Sequence, residues 1–161
     1  MPLLPFPRPY AWGVGLAMLF ALPVSGTAEP ITPKLTPKLD RLLREEMQAI
    51  QAAMNAVHTG IVTGDHPAVA EKAQAIHDSF MLKRALSDAD RRALKAAVPP
   101  RFLALDQRFH QQAASLAQAA RKGRTQQELK LFRRMTRGCV QCHAEYVGDR
   151  FPELEPPGKE E

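Results

Sequence analysis

Between residues 38 and 63 the apolar side chains Leu39, Leu43, Met47, Ile50, Met54, Val57 and Ile61 recur at steps of four, four, three, four, three and four. Such steps hold side chains on one face of a helix with 3.6 residues per turn. The stretch therefore predicts a long amphipathic helix that needs a partner surface along its whole length. Thr36 followed by Pro37 reads as N-cap and first helical residue, and Gly64 as the C-terminal stop. About 26 residues at about 1.5 Å each give about 39 Å, one wall of a helical bundle.

The pattern repeats along the chain. Asp65 with Pro67 opens a second helix carrying Val69, Ala73, Ile76 and Phe80 inward, while Met81 to Leu86 is ambiguous. Ser87-Asp88-Ala89-Asp90 reads as a capping box for a short helix to about Ala97, closed by Pro99-Pro100. A third long helix places Phe102, Leu105, Phe109, Ala113, Leu116 and Ala120 on one face, its second half lined with small residues that allow a neighbouring helix or a flat ligand to approach closely. Gly123 ends it, and Thr125-Gln126-Gln127-Glu128 reads as another capping box. The fourth long helix sets Leu129, Phe132, Met135, Cys139, Cys142 and Tyr146 inward and closes near Gly148. No segment alternates as a strand does. The expected class is all-α, an antiparallel four-helix bundle over residues 38–148, with a proline-rich, extended lead-in at 29–37 and a disordered tail at 149–161.

The only two cysteines stand in Cys139-Val140-Gln141-Cys142-His143, on the last predicted helix. Spacings of three and four bring Cys139, Cys142 and His143 to one helical face. C-x-x-C-H is the arrangement for covalent haem, in which each thiol adds to a vinyl group and the imidazole gives an axial nitrogen to iron. Three other uses remain open. A thioredoxin-like redox pair wants a preceding strand and its first cysteine at a helix N-terminus, whereas Cys139 comes late in a helical pattern. A zinc site needs a fourth ligand from elsewhere, with no second C-x-x-C or H-x-x-x-H to supply it. A disulfide between Cys139 and Cys142 is awkward inside a regular helix.

Residues 1–28 read as a signal peptide: Arg8, an apolar run from Ala11 to Leu22, Pro23, then the small residues Gly26-Thr27-Ala28. The run falls short of the ~20 apolar residues of a spanning helix, so no membrane span is expected after cleavage. Export agrees with the motif, because bacteria attach c-type haem on the outer side of the cytoplasmic membrane. The whole chain carries a formal charge of +5, and Arg8 is the only charged side chain in the segment removed. A mild positive charge favours an acidic redox partner at most, and no basic cluster with interleaved aromatics points to nucleic acid.

A signal peptide, four amphipathic helices and C-x-x-C-H in the last of them resemble the class II c-type cytochromes, the cytochrome c-prime family and its low-spin relatives. Ile61-Val62-Thr63-Gly64-Asp65 is similar to the end of that family's first helix, and Tyr146 keeps its aromatic three residues after the haem histidine. Departures are Val147, where the family has a basic residue, and Gly138, which adjoins Cys139 rather than preceding it by several residues. The resemblance implies one covalently bound haem c, anchored by Cys139 and Cys142 with His143 as proximal ligand, carrying single electrons in the periplasm to a redox partner protein. It also allows a homodimer. It implies a sixth ligand from the first helix, for which Met47 is the leading candidate, with Met54 and His58 the others on that helix and His110 a candidate from the third long helix. With no such ligand, the haem is five-coordinate and binds small gases such as nitric oxide or carbon monoxide. Methionine also fills cores, and His58 and His110 flank their stripes as solvent-side or packing histidines do. Arg44 suits a haem propionate or a solvated helix surface, and His66 and His77 read as surface residues. No acid–base pair accompanies the motif, so catalysis is not expected.

Overall fold

In a computed structural model, residues 30–79 and 86–154 are described. Helices start and stop where the caps dictate. After a 3-10 turn at Thr32–Lys34 come α1 (Pro37–Thr63), α2 (His66–Asp78), α3 (Asp88–Ala97), α4 (Pro100–Arg121) and α5 (Thr125–Tyr146). Among the described residues there is no strand, so the chain is all-α. The signal segment, Phe80 with the start of the ambiguous stretch, and residues 155–161 lie outside the described residues.

Thr36 Oγ1 accepts from the Leu39 N–H at 3.3 Å, and Asp65 Oδ1 from the Ala68 N–H at 3.1 Å, each satisfying an orphan donor of the first turn. Ser87 and Asp90 form the reciprocal capping box at 3.1 and 3.2 Å. Lys38 Nζ reaches the same Asp90 carboxylate at 2.6 Å and ties the start of α1 to that of α3. Gly64 takes φ 73°, a left-handed conformation that glycine adopts without steric cost.

The second capping box is a correction. Arg124, not Thr125, occupies the N-cap of α5 and makes no side-chain cap bond, so Glu128 is released from capping duty. It turns inward, is fully buried and accepts from His66 Nδ1 at 2.8 Å. His66 is accordingly half-buried rather than a surface residue, and His77 is likewise half-buried, its Nδ1 3.0 Å from the His110 carbonyl. Leu129, expected inside, is 43% exposed, and Leu131 replaces it in the core.

Helix α2 packs on α1 and α4, and α4 on α5, whereas α1 and α5 meet sparsely. The main core joins Ile50, Val57 and Ile61 of α1 to Val69, Ala73 and Ile76 of α2, Ala113, Leu116 and Ala117 of α4, and Leu131 and Met135 of α5. The small residues of α4 are spent on this packing, with Ala113 and Ala117 fully buried. A second cluster closes one end: Ile31, Leu39, Leu94, Val98 and Tyr146. Ile31 is buried and its N–H donates to the Tyr146 carbonyl at 3.0 Å, so the lead-in is docked rather than extended throughout. No described helix is long and apolar enough to cross a membrane.

The α1–α2 corner allows a direct test. A Cβ on Gly60 would lie 2.7 Å from Val69 Cγ2 and 3.2 Å from the Asp65 carbonyl. Val69 is fully buried and has nowhere to retreat. Alanine is favoured over glycine in a helix by up to about 1 kcal/mol, but overpacking costs about 1–3 kcal/mol. Gly60→Ala is expected to lower the urea midpoint, and an unchanged or higher midpoint would contradict this close approach.

Candidate haem site

The end of α5 brings Cys139, Cys142 and His143 to one face, all three half-buried and both thiols free. The backbone of α5 comes close to α4 at Gly138, where a Cβ would lie 3.7 Å from the Phe109 ring. One turn beyond the motif, Tyr146 is buried edge-on against Phe102, ring centroids 5.4 Å apart and planes at 84°. Glu145 is clamped by Arg101 from Nε and Nη2, both at 3.1 Å, and by Gln141 Nε2 at 2.9 Å. Those bonds hold its carboxyl below the usual range and fix this turn against α4.

Beyond the helix the chain turns back, with the Arg150 and Phe151 N–H groups donating to the Val147 carbonyl at 2.9 and 3.1 Å. The tail is therefore ordered through its first residues. This turn lays Phe151 parallel to the His143 imidazole, centroids 4.7 Å apart and planes at 14°. Burial, then the nearby Arg150 charge, pull the His143 pKa below its ordinary value, so the ring is neutral and has a free lone pair at neutral pH. The thiols behave oppositely. Burial pushes both up, and Cys142 reaches about 12 with help from Asp106, Cys139 and Glu145 against Arg101.

Among the described residues no three His, Cys, Asp or Glu side chains are grouped to hold a metal ion directly. The donor set suits haem instead, which asks this helix for two thiols on carbon and a single neutral nitrogen on iron. The surroundings are mixed: the rings of Phe102, Phe109 and Phe151 pack along this turn, and Arg101, Asp106, Glu145 and Arg150 act on its cysteines and histidine. Leu39, Leu43, Val98 and Asp106, with the Phe102 that packs on Tyr146, line a cavity of about 10 Å³. Sites for sizeable ligands run to about 300–1,000 Å³, so a macrocycle fits only when side chains here part.

The distal candidates separate. Met47 and Met54 are half-buried and pack against the main core. His58 is exposed and tilted against Phe132, ring centroids 5.9 Å apart, two turns before the motif. His110 is buried and turned away from α5, its Nδ1 donating to the Ile76 carbonyl of α2 at 2.6 Å. Its Nε2 lies 3.7 Å from Glu46 Oε1 and 3.6 Å from Asp106 Oδ1. Arg44 Nε is engaged by Asp40 at 2.8 Å, a surface i, i+4 pair rather than an arm held ready for a propionate.

Glu46 was missed by the sequence reading, yet it had a signal. It stands three residues after Leu43 and four before Ile50, in the inward register, and displaces Met47 to the flank of the seam. Burial opposes a charge on His110, but Asp106, the Ile76 carbonyl and Glu46 together outweigh it and raise the pKa. A raised folded value means that the native state holds its proton longer than the unfolded chain. Stability from this group is complete below the unfolded value of about 6.5 and is lost as pH rises through the folded one. Urea midpoints are expected to fall as pH rises above about 6.5, and His110→Gln to flatten that slope; a variant with the wild-type slope would remove His110 as its source.

Comparison with known protein families, curated proteins and solved structures finds no match to this chain. The functional reading rests on the residues themselves.

Proposed function

We propose that the chain is a periplasmic monohaem c-type cytochrome of the class II kind, an antiparallel four-helix bundle that passes single electrons to a redox partner protein. The observation that carries this reading is the convergence of Cys139, Cys142 and a neutral His143 on one half-buried face of the last helix. When bound, the haem supplies an iron that changes oxidation state by one electron.

The chain supplies the rest. Each thiol would add across a vinyl group of a bound haem, sulfur to one carbon and its hydrogen to the other, so no oxidant or leaving group would be needed. His143 offers its nitrogen from a ring held by Phe151. The half-buried turn that carries the motif would limit water at a bound iron, which would favour its less charged state and raise the potential. The Arg101–Glu145–Gln141 clamp keeps the motif's turn in place through the redox cycle.

Protein isolated from the periplasm is expected to hold its haem through acid-acetone extraction and a denaturing gel, with the spectrum of a c-type cytochrome. Complete loss of haem in that treatment would overturn the proposal.

A further inference from the structure

Three large apolar side chains are exposed among the described residues, and two of them, Val62 at 66% and Leu129 at 43%, line the same groove. It measures about 680 Å³ and runs between the end of α1 and the start of α5, with Ile61 and Phe132 on its floor and Lys130 and Arg133 on its rim. Because α1 and α5 are antiparallel, this is the end of their seam away from the cysteines.

The charge around it has one sign. From Gln48 to Thr63, α1 carries no Asp, Glu, Lys or Arg at all. On α5, Lys130, Arg133, Arg134 and Arg137 are exposed, and the helix's one carboxylate before the haem motif, Glu128, is fully buried against His66. No acidic side chain lines the groove. An apolar trough between two helices takes a third helix laid along it, and a rim of cations selects carboxylates on that helix.

We propose that this groove docks an acidic amphipathic helix of a partner protein. Leucine-like side chains of the partner enter between Val62 and Leu129, and carboxylates flanking them meet Lys130 and Arg133. Phe132 is seven residues, about 10 Å along the helix axis, from Cys139. A partner seated here is therefore within electron-transfer reach of a haem at the motif, a consequence that rests on the proposed function, whereas the docking itself does not.

The test uses the full protein as isolated and a fluorescein-labelled peptide of about 14 residues, with leucines at i, i+3, i+4 and i+7 and glutamates beside them. A control peptide carries lysines in place of the glutamates. The glutamate peptide is expected to bind saturably by fluorescence anisotropy, about tenfold more weakly when salt rises from about 20 to about 200 mM. The pair Lys130→Glu with Arg133→Glu should weaken it by about tenfold or more, and Val62→Asp similarly, with helical circular dichroism unchanged. Equal binding of both peptides, no saturable binding, or a self-association of the chain abolished by Val62→Asp would each overturn the proposal. Haem plays no part in this readout, so failure of the docking and failure of the cytochrome reading are told apart.

Discussion

The double replacement Cys139→Ala with Cys142→Ala is expected to yield a folded helical protein that carries no covalent haem. Alanine suits a helix interior better than cysteine, and both positions are only half-buried, so the fold loses little beyond two sulfur atoms. Every thioether bond is gone, however, and any haem that enters is held by His143 and apolar contact alone. Haem should then leave completely in acid-acetone, where the wild-type protein is expected to retain all of it. Each single replacement should keep one thioether and remain stained on a denaturing gel. A double variant that still retained haem through denaturation would show that attachment lies elsewhere, and a wild type with none would end the cytochrome reading.

The second large effect concerns the distal side of the iron. The lead-in before α1 meets the end of α5, Ile31 against Tyr146, and the end of α1 lies beside the start of α5, with Ile61 and Leu129 in one groove. Counting turns between these anchors sets Met47 level with the turn that carries the haem motif. His110 is committed to the Ile76 carbonyl and His58 lies at the groove end, which leaves Met47 as the strongest ligand candidate. Met47→Ala is expected to convert a low-spin spectrum to high-spin and to open the iron to carbon monoxide. Met54→Ala, further along α1 and half-buried, should leave the spectrum alone and cost about 2 kcal/mol, the low end of a methionine truncation. A wild type that is already high-spin and binds carbon monoxide would rule out Met47 and favour the gas-binding alternative.

Helix positions were legible in the sequence because periodicity and caps agree: Thr36, Asp65 and the Ser87–Asp90 box each do what their residue types dictate. The grouping of Cys139, Cys142 and His143 was legible for the same reason, since helical spacing alone puts them on one face. The inward carboxylates were not. Glu46 and Glu128 occupy seam positions that a hydrophobic count skips, and their partners His110 and His66 lie on other helices, where local pattern gives no warning. Leu129 has the spacing of the stripe, three residues before Phe132, yet is exposed, and Leu131, four before Met135, takes the core position. The docking of Ile31 and the stacking of Phe151 on His143 are long-range or post-helical contacts made by segments that composition alone would leave unstructured.

The hydrogen bond from Ile31 to the Tyr146 carbonyl, with the burial of Ile31 beside that tyrosine, sets an order of events. A chain made from its N-terminus presents Ile31 long before Tyr146 exists, so the lead-in has no seat until the last helix is finished. The two ends of the described chain thus close on each other, and whatever loosens the end of α5 also frees the lead-in.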